Sequence, residues 1–347
     1  VLGPQINQSS NNFVVNKDKE ILFGLGAIKG TGDAAVNYII DERNKNGEYK
    51  DIFDFICRTN SRAVNKKTYE ALALAGAFDL VGDINRRQYT FSEENDSSFI
   101  EKSIIYANKL QKEKETKQTS LFGGTNGSDI PFPPIPNIEP FSKLEKLKIE
   151  KDILGLYISG HPLDKYKFEI KNLCNSNFKN IKENINISGK SNLCTAGIIT
   201  EVEHKISKNG KPYGSISIED FQDSYNFLFF SDDYLKFKNY MEVGWFLFLK
   251  GSMKNKWNNP DELEYKVDDI KLLTKVRDDL IKEIHLKINI DDLNLEIVKR
   301  LEKDLKNTKK GNCHLKITIL SKNNGKNLSL DMISRDKKFT LDDNFLK

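Results

Sequence analysis

The sequence predicts a multidomain protein: a helical region, an all-β barrel after it, and a small α+β domain last. Three observations predict this. Apolar residues recur at helical spacing between about Glu20 and Lys117. They alternate at strand spacing between about Leu193 and Leu273. A glycine- and proline-rich tract, Gly123 to Pro136, separates the two regimes. The 347 residues exceed one ordinary domain and suit about two to four modules.

Hydrophobic residues make up 38% and charged residues 30% of the chain, and the mean hydropathy is −0.54. That composition suits a soluble protein with real cores, so a cytoplasmic location is expected. The longest apolar stretch, Val243 to Leu249, has strand length and falls far short of a membrane span; no membrane partner is expected. No secretory signal opens the chain, and a first residue of Val1 rather than Met suggests a fragment of a longer protein. Cys57, Cys174, Cys194 and Cys313 stand apart, where a zinc site or disulfide framework would cluster them. Buried free thiols are expected instead. The histidines are equally scattered, so no metal site or other cofactor is expected in this chain. A net charge of +4 is small for this length and decides nothing until the lysines are placed.

Taken in order, residues 1–55 lead into a first helix, with Ala34, Ala35, Tyr38, Ile39 and Ile40 forming an apolar stripe. Residues 56–122 hold a second helix, Lys67 to Leu74, which stops at Gly76. A third, from about Ser98 to Lys117, carries Phe99, Ile100, Ile104, Ala107 and Leu110 on one side. Residues 123–141 form an exposed connector, because such glycine and proline density can neither continue a helix nor join a sheet interior. Residues 142–190 are a helical connector, with a helix near Lys143 to Leu156 and the turn Ser159-Gly160-His161-Pro162. Between 191 and 275, Ala196, Ile198, Thr200 and Val202 alternate with their neighbours, as do Gly214, Ile216 and Ile218. Tyr225 to Phe230, a short helix from Asp232 to Tyr240, then Trp245 to Leu249 and Glu264 to Leu272 follow. Three strands, a helix and two strands fit a small five-stranded Greek-key barrel, the OB-fold. Residues 280–347 read strand (Glu283 to Ile290), helix (Leu293 to Leu305), strand (His314 to Leu320), strand (Asn327 to Ile333). The pattern assigns this α+β domain no task.

The sharpest local feature is Gly24-Leu25-Gly26-Ala27-Ile28-Lys29-Gly30-Thr31-Gly32. Glycines between two helices permit positive φ and expose amides where the next helix dipole favours anions. This is the helix-hairpin-helix pattern, which holds DNA phosphates without reading sequence. Lys29, Gly30, Thr31 and Gly32 are the candidate contacts. A plain tight turn is the alternative, and no G-x-x-x-x-G-K-[ST] supports a nucleotide loop. Leu74-Ala75-Gly76-Ala77-Phe78 is a candidate second hairpin, with Gly76 its weaker phosphate contact.

Gln118-Thr119-Ser120-Leu121-Phe122 sits between a charged helix end and the connector. Burying Leu121 and Phe122 in a partner pocket would contribute about 1.5–3 kcal/mol each, less the cost of ordering the segment. Gln118 would fix the register. This matches the Q-x-x-L-F type of sliding-clamp-binding peptide; the alternative folds the two side chains back on the preceding helix. In the barrel, one basic loop carries Lys205, Lys208 and Lys211, and another carries Lys254, Lys256 and Trp257. OB-folds bind strands of nucleic acid with these loops and the face of strands two and three. Tyr213 belongs to that face. If Leu228 and Phe230 point inward, Tyr225, Phe227 and Phe229 point outward and stack on bases. The alternative buries these rings under a neighbouring domain. Five Asp-Asp pairs occur, none as a D-x-D on an apolar strand such as two-metal phosphoryl transfer would use. The chain is therefore not expected to be catalytic alone.

The order of these parts resembles the region after the catalytic palm in the alpha subunit of bacterial DNA polymerase III. Phe23 to Gly30, Ala75 to Asp79 and Leu154 to Leu163 carry the resemblance, with Gln118 to Phe122 where the family has its internal clamp-binding peptide. The resemblance implies that residues 1–55 finish the fingers, the tandem hairpins bind duplex DNA, and the barrel handles the single-stranded template. It implies the sliding clamp, the clamp-loader tau subunit and other holoenzyme subunits as partners, tau falling to the last domain. The parent would be a DNA-directed DNA polymerase, a nucleotidyltransferase using a divalent metal such as magnesium. Two alternatives stay open: a stand-alone OB-fold and hairpin accessory protein, and an interaction scaffold that binds no nucleic acid.

Overall fold

The computed structural model describes residues 1–59, 63–94, 96–119, 131–183, 185, 192–256, 259–323 and 326–342. The chain divides into two units, Val1–Pro162 and Leu163–Lys347. Helix and sheet are mixed as expected, with the helical part first and the sheets after it.

The first unit opens with a two-residue antiparallel ladder, β1 (Val14–Val15) on β2 (Ile21–Leu22). Six helices follow. They are α1 (Asp33–Asn46), α2 (Ile52–Arg58), α3 (Lys66–Ala75), α4 (Arg86–Thr90), α5 (Phe99–Thr119) and α6 (Lys143–Leu154). Local chemistry sets their ends. Asp51 and Asn65 accept from the amides of Asp54 and Thr68 and so start α2 and α3. Reciprocal capping boxes, Asn85 with Gln88 and Ser142 with Glu145, start α4 and α6. Gly76 and Gly155, at φ 87° and 77°, stop α3 and α6. The helices bury a run of rings: Phe55 meets Tyr69 and Phe78, and Phe78 meets Tyr89.

A buried carboxylate locks this unit. Glu150 of α6 is 1% exposed. One of its oxygens accepts from Arg86 Nη1 at 3.1 Å, the other from the Ile158 and Ser159 amides at 3.2 and 3.0 Å. Arg86 also grips Asp79, with Nη2 to Oδ2 at 2.6 Å. The segment Leu154 to Pro162 is thus held by a charge that the hairpin region neutralises. Lys29 adds a backbone tie, its amide donating to Ile153 O at 3.0 Å.

In the second unit, α7 (Lys167–Leu173) and α8 (Phe178–Lys182) precede a five-stranded sheet. Its strands are β3 (Leu193–Ile206), β4 (Pro212–Glu219), β5 (Ser224–Phe230), β6 (Phe246–Lys256) and β7 (Asn259–Leu272), with α9 (Ser231–Phe237) between β5 and β6. The order β5-β4-β3-β6-β7, with a helix after the third strand, is the Greek-key topology of an OB-fold. The first strand pairs with β6 through Leu193 to Ile198 and with β4 from Ile198 onward. A side chain at Gly197 would meet Glu219 O at 2.6 Å, so the bend needs glycine there.

After α10 (Leu273–Leu280), β8 (Glu283–Asn289), α11 (Leu295–Asn307), β9 (Lys310–Asn323) and β10 (Lys326–Phe339) make a separate sheet, ordered β10-β9-β8. β8 and β9 are parallel, so α11 is their crossover. The sheet shares its core with the helices beside the barrel: Leu173 packs on both clusters. This sharing explains why the barrel and the last sheet form one unit rather than two. Among the cysteines, Cys313 alone is buried, while Cys57, Cys174 and Cys194 are half-buried; all four are outside any disulfide. No helix among the described residues is long and apolar enough to cross a membrane.

Replacing Glu150 with alanine leaves the Ile158 and Ser159 amides without their acceptor, while Arg86 keeps Asp79. The urea transition of the first unit, followed by circular dichroism, should lose about 1–3 kcal/mol for each of those amides. An unchanged midpoint would show that the carboxylate is dispensable.

Candidate nucleic-acid interface

The first hairpin is entered through a single 3₁₀ turn, Leu25–Ala27, rather than a full helix. The amides of Leu25 and Gly26 donate to Ser10 O and Asn11 O at 2.8 and 3.0 Å. A side chain on Gly24 would lie 2.5 Å from Asn11 O. These first glycines therefore serve close packing, and the free amides come later. Gly30 takes φ 102°. Gly32 begins α1 without a side-chain cap, and the Asp33 and Ala34 amides make no hydrogen bond among the described residues. Gly32, Asp33 and Ala34 are exposed, as is Lys29. The exposed helix start and the lysine are the anion-attracting part of the hairpin, opposed by the Asp33 carboxylate in the same turn.

Two expected phosphate contacts are corrected. Thr31 spends both donors internally: its hydroxyl donates to Leu25 O and Ile28 O at 2.9 and 2.8 Å, and its amide to Ile28 O at 3.1 Å. Gly76 is buried, its amide caps α3, and a Cβ there would lie 2.1 Å from Arg86 Nη2. The guanidinium occupies the space a phosphate would need. A further lysine escaped the sequence reading. Lys67 is exposed at the start of α3 and its Cε would stand 3.6 Å from a side chain at Gly30. No local pattern marks it, because only the packing of α3 on the hairpin brings it there.

In the barrel, register fixes which side chains share the outer face. Lys205, Tyr213 and Phe230 stand in one cross-strand row, and Glu203, Ser215 and Leu228 in the next. Tyr213 stacks on Phe230 with centroids 5.4 Å apart and planes 22° apart. Leu228 is 59% and Phe230 56% exposed, whereas Phe227 and Phe229 are 3% and 4% exposed. The phase of β5 is thus opposite to the one expected, and Phe227 and Phe229 cannot stack on bases. The interior takes them because Phe178 of α8 and Phe237 of α9 face them. Tyr225 is half-buried and its hydroxyl accepts the Tyr265 amide at 3.2 Å, which holds it in the wall. A groove of about 480 Å³ runs between β5 and β7, lined among others by Leu228, Phe230, Asp233, Lys256 and Lys266.

The lysines of this face come with acids. Lys205 pairs with Glu203 at 2.5 Å, Lys256 with Glu262 at 2.5 Å, Lys254 with Asp268 at 3.8 Å and Lys266 with Asp233 at 3.5 Å. The hydrogen bond from Lys205 holds the Glu203 carboxyl below its usual range, and Lys256 does the same to Glu262. Lys208 and Lys211 are exposed at the loop tip and make no ion pair among the described residues. Trp257, Leu121 and Phe122 lie outside the described residues. Gln118 contributes its backbone to the end of α5.

A family model described as a helix-hairpin-helix motif matches residues 1–89. The DNA polymerase III subunit alpha of Borreliella burgdorferi is 31% identical over 339 residues, 96% of this chain and 28% of that protein. The chain belongs to the DNA polymerase III alpha-subunit family. The subunit of Pseudomonas fluorescens is 26% identical over 92% of the chain and 27% of its own length. That of Deinococcus radiodurans is 41% identical over 48% of the chain. The chain therefore spans little more than a quarter of the length of the Borreliella and Pseudomonas alpha subunits. Among solved structures, the Saccharomyces cerevisiae mitochondrial single-stranded DNA-binding protein Rim1 shares 23% identity at TM-score 0.20, covering 24% of this chain and 93% of its own. The SSB domain of a Synechococcus protein shares 8% at TM-score 0.19, over 24% of this chain and 96% of its own. Those scores are too low to build on, and the OB assignment rests on strand order.

The two sides of β5 should respond in opposite ways. Phe227→Ala opens a cavity in the barrel and should cost about 3–5 kcal/mol in chemical denaturation. Phe230→Ala, on the outer face, should stay within about 0.5 kcal/mol. The reverse ranking would restore the inward placement of Phe230.

Proposed function

We propose that the chain is the DNA-binding, clamp-tethering segment of a replicative DNA polymerase III alpha subunit working in the cytoplasm. The observation that carries this reading is an outward Tyr213–Phe230 stack on an OB barrel, in a chain related over 96% of its length to subunit alpha. Duplex phosphates would be held at the start of α1 by Lys29, Lys67 and the backbone of Gly30 and Gly32, which need no base contact. Single-stranded bases would stack on Tyr213 and Phe230, with Leu228 beside them and Lys208 and Lys211 on the backbone. Lys205, Lys254, Lys256 and Trp257 would flank that path. Gln118, Leu121 and Phe122 would enter the sliding clamp.

The last domain would meet the clamp-loader tau subunit and, through it, other holoenzyme subunits. Its exposed Ile297, Val298, Leu328 and Leu330 support a protein contact there. Nucleotidyl transfer, with a divalent metal such as magnesium, is attributed to the rest of the subunit. Weak sites for duplex, single strand and clamp on one chain raise each other's effective concentration. Processivity would come from that avidity.

Fluorescence anisotropy on a primed template across a salt series, with and without clamp, tests the reading. Binding should weaken with salt and strengthen with clamp. Leu121→Ala with Phe122→Ala should abolish the clamp enhancement and spare binding to DNA alone. Phe230→Ala should lower single-strand affinity by about 5- to 150-fold, the equivalent of losing one stacked base. No binding to DNA at low salt would overturn the proposal.

A further inference from the structure

The outer face of the barrel carries an unusual charge arrangement for a nucleic-acid surface. Lys205, beside the Tyr213–Phe230 stack, is paired with Glu203, which occupies the adjoining row with Leu228. Lys266 and Lys256 line the groove between β5 and β7; Asp233 of α9 pairs with the first and Glu262 of β7 with the second. Each acid is itself substantially exposed, at 56%, 42% and 55% of its side chain. A phosphate approaching any of these lysines meets a tethered carboxylate within 4 Å of the ammonium. Breaking the pair does not remove the acid. The three lysines therefore bring almost no net charge to the face.

Loss of charge does not weigh equally on the two forms of DNA. Duplex is held without sequence preference by phosphate neutralisation and counterion release, and its phosphates are the more densely spaced. Its bases are stacked on each other and offer no π-face to a protein. A single strand has fewer charges per length but can lay its bases on Tyr213 and Phe230. Selection against a wrong partner is often achieved by an element that repels it.

We infer that Glu203, Asp233 and Glu262 are specificity-determining residues of the barrel, which neutralise Lys205, Lys266 and Lys256 so that stacking selects single strands over duplex. The inference rests on the single-strand reading above. It adds that the acids beside the site set which form of DNA is admitted.

The test uses the full chain and its variant E203Q/D233N/E262Q, with oligo-dT and a blunt duplex of equal length, by anisotropy between 50 and 200 mM salt. Releasing the lysines should steepen the log–log salt slope by about 0.9 per lysine on duplex and about 0.7 on single strands. At 0.1 M salt the single-strand preference should then fall about fourfold, both affinities rising. Adding K205M, K256M and K266M to the variant should reverse the duplex gain, which separates this face from the hairpin in the first unit. Exposed positions are chosen, and a thermal melt checks that each variant is folded. Wild-type binding to oligo-dT with an unchanged preference in the acid variant overturns this inference alone. Absence of wild-type oligo-dT binding at low salt overturns the single-strand reading with it.

Discussion

The arrangement of the second unit hangs on one strand serving two neighbours. β3 gives its first half to β6 and its second half to β4. That double pairing bends the sheet into a barrel. It also fixes the register of β4, which fixes that of β5, and a register error of one residue would turn every side chain to the opposite face. The outward position of Tyr213 and Phe230 is therefore decided at Ile198 to Ile206, on a strand that carries neither ring. The register shift between Ile199 and Glu201 gives the strand its extra local twist.

Each unit also buries one acid against one arginine. Glu150 is shared between Arg86 and the turn at Ile158 and Ser159. Glu169 of α7 pairs with Arg277 of α10 at 2.5 Å and is 1% exposed, which joins the helix before the barrel to the helix after it. In both cases the acid lies between segments far apart in the chain, so the pair specifies which segments meet. The two are not equally satisfied. Glu150 makes bonds with both oxygens, whereas Glu169 Oε2 has no hydrogen-bond partner among the described residues.

Much of the fold was legible in the sequence. The helix end at Gly76, the five strands of the barrel and the βαββ order of the last domain follow from period and punctuation, whereas α6 stops at Leu154, capped by Gly155, where the pattern carried it to about Leu156. The phase of β5 was misjudged because Phe227 to Phe230 is apolar on both faces. The signal lay one residue earlier: Asn226 shares the exposed face with Leu228 and Phe230, while Phe178 and Phe237 take Phe227 and Phe229 inside. That Lys29 lies in the turn before α1 and Tyr213 on β4 follows from motif and strand position. Gly76 could not be excluded, because Arg86 reaches it through tertiary folding. The pairing of Lys266 with Asp233 spans 33 residues and has no local signature.

The parallel pairing of β8 with β9 has a consequence for how the chain is made. Among the described residues β8 lies at the sheet edge, and its strand partner, β9, follows α11 in the sequence. A nascent chain that has released Asn289 must still add everything to Leu320 before that ladder is complete. At a synthesis rate of roughly 5–20 residues per second, the interval is on the order of a few seconds. During it, the apolar side chains Ile284, Leu286 and Ile288 wait on an unpaired strand. The barrel, whose strands all precede β8, can close in that time and present the α7 and α10 surfaces onto which the late sheet then folds.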